Sequence, residues 1–590
     1  MREVIVVSGL LLLSANALGS MPQPTLVVLS DESITMPDGG PAVPLRSVST
    51  PSIGPDGAIG FSGSIQDTFP GRFVFGYIPS DATAGPRALA VQEMQAPGLV
   101  GLVFRPDVGP LLPDENGNSF YGTHFLFPDA PSAKGFALFS IVSPLDGNME
   151  FGSGYWRPDA KGSGLVPSIV SQDGVFGVGA MTPSGDVIAP FDVPDVFTLE
   201  PDDISVGIVV ERDGAVTRVL GPGDQAPDTT GVIARIFPFV SISGTGRVAA
   251  RIDLRPGVGG VTGRDFAGVW GGPIEDIRLI AREDDLAPDL GGAVFDAFRR
   301  PVTNGAGDVV FVARFLRGPG VVASNNTGVW RAREGAPPAL VLREGDPAPG
   351  AGGAVFGDLI DARPFAGADD TFLVLATLAP GPGVAPANNE CLWLVRGDTA
   401  ELLAREGDPA SGTSGAVYDR FVQVGGVDTG EYAFLGTLRR DIGGVNSQND
   451  VALWGVDAAG GIRLVQRTGD RVPVENAQGA TNKRTVDGIG FLGNDGIANN
   501  GWLGYATAFT DGSSAVYRTR LGEPGNACSA DFGSDGDVDI ADFGVFGAAF
   551  NAQLGDDGYT PAADIDADGD VDLGDFGLFG AQFGRTDCND

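Results

Sequence analysis

The chain has 590 residues, a net charge of −37, 91 glycines, 43 prolines, three cysteines and one histidine. This length exceeds what a single hydrophobic core needs, so it predicts several domains or a large repeat architecture. The sequence pI of about 4.2 and the lack of a basic patch exclude a surface built to bind nucleic acid or anionic lipid.

Residues 1–19 have the pattern of a signal peptide. Arg2 precedes an apolar run from Val4 to Leu13, and the small residues Ala15 and Ala17 follow as a cleavage site. The run is too short to span a bilayer, and no other segment reaches about 18 consecutive apolar residues. We therefore expect a secreted or cell-surface associated protein without a membrane span.

A sequence motif recurs every 61 or 62 residues from about residue 220 onward. Its best copy, residues 341–349, reads Val-Leu-Arg-Glu-Gly-Asp-Pro-Ala-Pro. The aspartates that mark the motif are Asp224, Asp285, Asp346, Asp408 and Asp470. Aromatic residues keep the same period, at Trp270, Trp330, Trp393, Trp454 and Tyr517. Such regularity is typical of tandem-repeat folds.

Each repeat contains about four β-type runs separated by Gly, Pro, Asp and Asn clusters. In the best copy the runs are residues 294–302, 308–316, 328–331 and 339–343. Four antiparallel strands form one blade of a β-propeller, and a period near 60 residues accommodates them with their turns. We therefore predict a mainly β chain in which residues 20–523 form a β-propeller.

The two ends of the array indicate how it closes. The last repeat ends at Leu521 without its fourth strand, whereas residues 25–30, Thr-Leu-Val-Val-Leu-Ser, resemble that strand. We expect this segment to complete the last blade, so that both edges are paired. The 439 residues from Asp31 to Asp470 are about seven periods, and the composite blade makes eight. Seven blades is the alternative.

The repeats resemble the bacterial exported tandem-repeat proteins that are marked by Asn-x-x-Gly-x-x-Ala-Phe. Asn304, Gly307 and Phe311 match this pattern in part, as do Ala433 and Phe434 after Gly430. The resemblance implies export and a repeat fold, and it implies no activity.

Catalytic motifs are not found in the sequence. The one histidine, His124, lies in an aromatic strand-like segment without a second histidine or a cysteine nearby, so we interpret it as a strand residue. The recurring Arg-Glu-Gly-Asp is interpreted as turn hydrogen bonds and ion pairs, because an active site is usually built once. Cys391 aligns with small residues of other repeats, so we expect a buried residue and not a nucleophile.

Two aspartate-rich segments near the C-terminus have the spacing of a twelve-residue calcium loop. Gly536 and Gly569 stand at position 6, where the loop turns sharply, and Gly533 replaces the position 3 ligand of the first loop. We therefore expect the first site to be the weaker. The predicted ligands are Asp531, Asp535, Asp537, Asp539 and Asp542 in the first loop, and Asp564, Asp566, Asp568, Asp570, Asp572 and Asp575 in the second, with Asp537 and Asp570 at position 7, where the backbone carbonyl binds.

An apolar segment with helical periodicity follows each loop, and the two loop-helix units are offset by 33 residues. The periodic residues are Phe543, Phe546, Phe550, Phe576, Phe579 and Phe583. We predict that residues 524–590 form a small α-helical domain that binds two calcium ions. Cys528 and Cys588 bracket it and can form a disulfide in an exported protein; the alternative is two unpaired surface thiols.

This duplicated module resembles a type I dockerin, and most closely the variants bracketed by cysteines. The resemblance implies calcium-dependent docking onto a cohesin-like or cell-surface protein. In that family, loop positions 10 and 11 contact the partner; here they are Ile540, Ala541, Leu573 and Gly574.

From these features we expect a secreted, non-catalytic binding or structural protein that is attached to its partner through the dockerin-like domain, and that is not an enzyme. A polysaccharide is a further candidate ligand of the propeller. The alternative is an extracellular carbohydrate-active enzyme, a glycosidase or lyase carried on a dockerin, since propellers also host such activities. Carboxylates found in one blade only would favour the enzyme.

Overall fold

The computed structural model describes residues 24–584 except 31, 37–40, 55–56, 67–71, 79–85, 92–101, 105–123, 127–136, 145–151, 159–164, 172–174, 177–179, 183–185, 193–205, 213–214, 238–239, 317, 360–362, 367–369, 398, 428–429, 459, 476–480, 492, 499–500, 522–529, 531, 533–537, 554–555, 557, 561–562, 564 and 566–569. The predicted signal peptide and both bracketing cysteines, Cys528 and Cys588, lie outside the described residues. Two compact units are present. Pro24–Gly522 is called the repeat unit, and Glu523–Asp590, with which Met1–Gln23 is grouped, is called the C-terminal unit.

The repeat unit is mainly β, as predicted, and its described residues form eight antiparallel sheets of four or five strands. The first strand, β1 (Thr25–Leu29), belongs to the last sheet. Sheets 1 to 3 consist of β2 (Ser33–Ile34), β3 (Val43–Ile53), β4 (Ile59–Ile65), β5 (Arg72–Ile78) and β6 (Arg87–Val91); β7 (Leu102–Phe104), β8 (His124–Leu126), β9 (Ala137–Pro144), β10 (Gly152–Pro158) and β11 (Leu165–Ser171); and β12 (Val175–Phe176), β13 (Ala180–Met181), β14 (Val187–Asp192), β15 (Gly207–Arg212) and β16 (Ala215–Leu220).

The remaining sheets cover the regular repeats. Sheets 4 and 5 consist of β17 (Ile233–Ile236), β18 (Ser241–Ile242), β19 (Arg247–Leu254), β20 (Ala267–Pro273) and β21 (Arg278–Arg282), and of β22 (Val294–Phe298), β23 (Val302–Thr303), β24 (Val309–Leu316), β25 (Thr327–Ala332) and β26 (Ala339–Arg343). Sheets 6 and 7 consist of β27 (Arg363–Ala366), β28 (Thr371–Thr377), β29 (Glu390–Arg396) and β30 (Thr399–Arg405), and of β31 (Tyr418–Gly426), β32 (Tyr432–Leu438), β33 (Val451–Val456) and β34 (Ile462–Arg467). Sheet 8 consists of β35 (Arg471–Glu475), β36 (Thr481–Gly490), β37 (Trp502–Phe509), β38 (Ser514–Arg520) and β1, with a 3-10 helix at Gly493–Gly496.

The four β-type runs predicted for the best repeat are confirmed in sheet 5, where the first run is divided into β22 and β23. Both pieces pair with β24, on either side of residues 299–301. The predicted pairing of the N-terminal segment is also confirmed. β1 lies antiparallel to β38, from Thr25 opposite Arg518 to Leu29 opposite Ala515, at the edge of sheet 8.

Successive sheets share hydrophobic cores. Separate clusters join sheets 3 and 4, 4 and 5, 5 and 6, and 6 and 7, and another joins sheet 8 to sheet 1. The periodic tryptophans Trp270, Trp330, Trp393 and Trp454 are completely buried in these clusters. The indole N–H of Trp454 donates to the carbonyl of Ser411 at 2.9 Å, which ties the sheet to the turn preceding its first strand. The aromatic periodicity therefore marks the packing between sheets.

The recurring Arg-Glu-Gly-Asp segments form turns, as interpreted from the sequence. The Arg405 Nε donates to the carbonyl of Asn388 at 2.7 Å, and Glu406 Oε2 accepts from the Asn389 N–H at 3.2 Å. The glycine of the turn has a positive φ, +86° at Gly407, which suits a residue without Cβ. These contacts join the last two strands of a sheet. They explain why Arg, Glu and Gly recur in the motif.

The C-terminal unit contains two helices, α1 (Ile540–Ala549) and α2 (Leu573–Gln582). They pack through aromatic side chains, with the Phe546 and Phe579 rings stacked at 5.4 Å. The surrounding core is small. Its buried residues are Ala530, Val538, Phe546, Ala549, Ala563, Val571 and Phe579.

Candidate functional site

Each helix of the C-terminal unit begins with the same pair of aspartates. Asp539 caps α1, and its Oδ1 accepts from the Ala541 N–H at 2.6 Å. In return, Asp542 Oδ2 accepts from the Asp539 N–H at 2.9 Å, which completes a capping box. Asp542 is only 1% exposed. A carboxylate in the first turn is favoured there by the partial positive charge at the helix N-terminus.

The second helix repeats this geometry. Asp572 Oδ1 accepts from the Gly574 N–H at 2.6 Å, and Asp575 Oδ2 accepts from the Asp572 N–H at 2.8 Å. Asp575 is 0% exposed. Asp539 and Asp572 stand at loop position 9, whereas Asp542 and Asp575 stand at position 12 of the two predicted calcium loops. The duplication seen in the sequence is therefore a duplication of structure at both loop-helix junctions.

Five of the eleven predicted calcium ligands lie in the described part of the chain: Asp539, Asp542, Asp570, Asp572 and Asp575. Asp570 forms an isolated antiparallel bridge with Gln553. The other six, Asp531, Asp535, Asp537, Asp564, Asp566 and Asp568, lie outside the described residues. Among the described residues no group of three or more His, Cys, Asp or Glu side chains is placed to hold a metal ion.

The four residues predicted to contact a partner are at the exposed starts of the helices. Ile540 is 70% exposed and Leu573 is 73% exposed, whereas the backbone N–H groups of Ala541 and Gly574 are used by the caps. The two exposed apolar side chains thus occupy equivalent positions of α1 and α2.

Cys391 is completely buried, and burial raises the pKa of its thiol to about 12. This agrees with the prediction that it is not a nucleophile, since the thiolate is the reactive form. His124 lies in β8, opposite Phe139 of β9. No helix in the described ranges is long and apolar enough to cross a membrane.

A group of charged residues in sheet 4 was not singled out from the sequence. We call Arg235, Arg251, Asp253 and Glu283 the sheet 4 ion cluster. Asp253 and Glu283 are 5% and 8% exposed, and Asp253 Oδ2 lies 2.8 Å from Arg235 Nη2. Glu283 belongs to the repeated Arg-Glu-Gly-Asp series, but Asp253 and Arg251 have no counterparts in it. An alignment of the second strands of the repeats would have shown Arg251 and Asp253 as departures from the other copies.

Burial raises the pKa of Glu283 from 4.5 to about 7, with the neighbouring Asp253 charge adding to the effect and the Ala267 N–H opposing it. Because the pKa is higher in the folded state, Glu283 stabilises the fold most at low pH and loses that contribution as the pH rises through 7. We expect Glu283→Gln to remove this loss, so that the melting temperature of the variant exceeds that of the parent by more at pH 8 than at pH 5.

Thermal melting of the full chain at both pH values measures this difference. Glu401→Gln removes an exposed carboxylate from β30 and serves as the control for the change in net charge. A melting-temperature difference for Glu283→Gln that stays constant between the two pH values would contradict the assignment.

Comparison with solved structures gives distant likenesses only. Puromycin hydrolase matches 78% of this chain and 58% of its own chain at 12% identity and a TM-score of 0.36. The acylaminoacyl peptidase of Pyrococcus horikoshii matches 68% of this chain and 52% of its own at 10% identity and a TM-score of 0.35. Saccharomyces cerevisiae Sqt1 matches 85% of this chain and 99% of its own at 8% identity and a TM-score of 0.33. No curated protein matches the chain.

These neighbours correct two expectations drawn from the sequence. Several of them are peptidases, whereas the sequence led us to expect a non-catalytic binding or structural protein and a chain that is not an enzyme. Both expectations are withdrawn, and the carbohydrate-active alternative stays a prediction. The chain spans only 58% and 52% of the first two enzymes, and their activities are those of the enzymes themselves.

The match to a protein-family model is extensive. It covers residues 23–365 and 362–524, which is the repeat unit almost from end to end. The chain therefore belongs to DUF7453, a family of unknown function.

Proposed function

We propose that the C-terminal unit is a dockerin-like module that binds two calcium ions. The observation that carries this proposal is the pair of buried carboxylates, Asp542 and Asp575, at the N-termini of α1 and α2. Both occupy position 12 of an aspartate series with calcium-loop spacing, where a calcium loop places a bidentate carboxylate. Each already accepts a capping-box hydrogen bond, and a bound cation would compensate the charge that burial leaves on it.

The residues fit a hard divalent cation, which prefers oxygen ligands. Asp564, Asp566, Asp568 and Asp575 would hold the second ion, with the Asp570 carbonyl. Position 9 is often occupied through water in such loops, and this agrees with the cap that each position 9 carboxylate makes. The first loop would use Asp531, Asp535 and Asp542 with the Asp537 carbonyl, and Asp539 and Asp572 would each contribute through a water. Bound calcium neutralises the charge of each loop.

We further propose that the exposed ends of the two helices contact a partner protein of the cohesin kind. The support is the exposure of Ile540 and Leu573 at equivalent positions of α1 and α2. Large exposed apolar side chains are typical of interaction surfaces when they are grouped. Export to the outside of the cell, proposed from residues 1–19, is the setting in which millimolar calcium binders and disulfides function.

For the repeat unit we propose a closed, eight-bladed β-propeller. Three features support it: eight consecutive antiparallel sheets, the pairing of β1 with β38, and the core cluster in which Val28 and Val516 of sheet 8 join Leu45 and Phe61 of sheet 1. When the first and last strands of the chain pair within one blade, they close the ring of sheets, and neither terminal strand is left at an unpaired edge.

Calcium titration of the full chain by isothermal calorimetry tests the proposed function. We expect two ions per chain with unequal affinities, and we expect Asp564→Ala to abolish the tighter site. Asp556→Ala, which removes an exposed aspartate between the two loops, is the matched control and should retain both ions. Absence of calcium binding by the parent would refute the proposal.

A further inference from the structure

A cleft opens beside the turn that enters sheet 4. Residues 221–232 join β16 of sheet 3 to β17 of sheet 4, and they contact β21, the last strand of sheet 4. The cleft between the turn and this strand has a volume of about 560 Å³, within the range of about 300–1,000 Å³ that is typical of small-molecule sites. It is lined by Gln225, Asp228, Thr229, Thr230, Leu279 and Arg282.

The turn carries polar side chains that its counterparts lack. Counted from the aspartate that marks each repeat, Gln225 corresponds to leucine or proline in the turns that enter sheets 5, 6 and 7. Thr229 and Thr230 correspond to Leu-Gly, Ala-Gly and Thr-Ser in the same three turns. Of these four turns, only the one that enters sheet 4 combines an amide with two hydroxyl groups. A feature found in one sheet favours a ligand site, because a contact repeated in every sheet serves the architecture.

Two hydrogen bonds hold Asp228 against β21. Its Oδ1 accepts from Arg278 Nη1 at 3.0 Å, and its Oδ2 accepts from the Leu279 N–H at 3.1 Å. The Asp228 side chain is nevertheless 38% exposed. Because an ionised carboxylate has about four acceptor sites, Asp228 can accept hydrogen bonds from a ligand without losing either of these contacts.

Gln225 and Thr230 are each held by one donated hydrogen bond. Gln225 Nε2 donates to the carbonyl of Thr229 at 2.7 Å, and Thr230 Oγ1 donates to the carbonyl of Gly259 at 2.5 Å. Both residues are exposed. The amide has a carbonyl oxygen and a second N–H besides, and a hydroxyl oxygen accepts hydrogen bonds while it donates one. The two side chains therefore present both donors and acceptors to the cleft from fixed positions.

Arg282 has contacts that differ from those of the equivalent arginines. In sheets 5, 6 and 7 the Nε of this arginine donates to a loop carbonyl, as Arg405 does to Asn388 at 2.7 Å. The Nε of Arg282 makes no such bond. Its Nη atoms lie 3.8 Å from Asp265 and 3.7 Å from Asp285, which is too long for hydrogen bonds. Arg282 is thus held beside the cleft by charge.

The lining is neutral overall, because Asp228 and Arg282 are its charged residues. A neutral lining selects neither an anion nor a cation. The net charge of −37 further disfavours an anionic polymer. What the cleft offers is a set of hydrogen-bonding groups around the partly buried apolar side chain of Leu279. Such a set requires a ligand that is uncharged and that both donates and accepts hydrogen bonds.

We propose that this cleft binds sugar units of a neutral polysaccharide. Neighbouring hydroxyl groups of a sugar ring both donate and accept, so they match the amide, hydroxyl, carboxylate and guanidinium groups of the lining. Leu279 contacts the C–H groups of the ring. Three of the six lining residues are exposed, so a polymer can extend beyond the cleft at the surface. This site lies in the repeat unit and does not depend on calcium binding by the C-terminal unit.

Native gel electrophoresis of the full chain, with calcium present, tests the proposal. The gels contain hydroxyethylcellulose, arabinoxylan or galactomannan, each a neutral polysaccharide, and a gel without polymer is the reference. We expect at least one polysaccharide to retard the chain, by an amount that rises with polymer concentration and saturates. Lack of retardation in all three gels would overturn the proposal.

Gln225→Leu is the informative variant, because leucine already occupies the equivalent position, Leu286, in the turn that enters sheet 5. We expect it to weaken binding roughly fivefold, since it removes a hydrogen-bonding group. Its melting temperature should equal that of the parent. Thr230→Ala is a second variant of the same site, with a similar expected loss of affinity.

Matched controls are Gln448→Leu, at an exposed glutamine of sheet 7, and Ser414→Ala, at the position equivalent to Thr230 in the turn that enters that sheet. Both should retain the affinity of the parent. Retardation that is unchanged in both Gln225→Leu and Thr230→Ala would place the sugar elsewhere and overturn the assignment of the cleft.

Discussion

Removal of calcium is expected to unfold the C-terminal unit while the sheets of the repeat unit remain folded. The two helices are ten residues each, which is shorter than isolated helices need in water. Their shared core is small, and its large buried side chains among the described residues are Phe546 and Phe579. Calcium at a thousandfold excess over its Kd would add about 4 kcal/mol per site, which is most of the stability available to so small a unit.

Hydrogen exchange of the full chain with and without a calcium chelator measures this effect. The amides of α1 and α2 should lose their protection in chelator and regain it when calcium is restored. Asp575→Asn should produce the same loss in α2 at saturating calcium, because it removes the position 12 charge. Asp556→Asn, in the segment between the loops, is the control. Protection of α1 and α2 that persists in chelator would show that the aspartate loops do not couple folding to a metal.

A charge placed on β1 is expected to destabilise the repeat unit strongly. Val28 is 0% exposed and packs in the cluster that joins sheet 8 to sheet 1. The strand is also held by the Ser30 N–H, which donates to the Ser514 carbonyl at 2.7 Å. Val28→Asp would bury an unpaired carboxylate and remove apolar packing, so we expect a loss of about 4 kcal/mol in the free energy of unfolding.

Val216→Asp is the matched control for this variant. Val216 also lies on an edge strand, β16 of sheet 3, but it is 50% exposed. A surface substitution of this kind should change stability by no more than about 0.5 kcal/mol. Deletion of residues 20–33 should lower the melting temperature of the repeat unit as well. If the deletion leaves the melting curve unchanged, β1 does not close the array.

The two ends of the array show how much of the fold the sequence predicts. The last repeat lacks a fourth strand, and the segment that supplies it begins at Thr25, almost 500 residues earlier along the chain. This pairing was predictable because residues 25–30 resemble the strand that the last repeat lacks. The same applies to α1 and α2, which the phenylalanine period after each aspartate-rich segment predicted.

The function was harder to predict from the sequence than the fold. Repetition of Arg-Glu-Gly-Asp indicated a structural role, and hydrogen bonds such as Arg405 to Asn388 agree with it. The lack of catalytic motifs does not by itself indicate a non-catalytic protein, because catalytic groups are brought together by the fold and need not be neighbours in the chain.

By itself, the sequence determined the β class of the repeat unit, the period of its sheets, the partner of β1 and the presence of a helix after each aspartate-rich segment. These depend on local periodicity and on turn and cap residues, which act within a few positions of the chain. Tertiary structure alone decided that Asp542 and Asp575 are buried and that Arg251 lies beside Asp253, Phe237 and Arg235. Burial and the pairing of charges depend on contacts between segments that are distant in sequence. The energetic cost of burying a charge, and its compensation by a partner, are therefore defined only once the sheets and helices have packed.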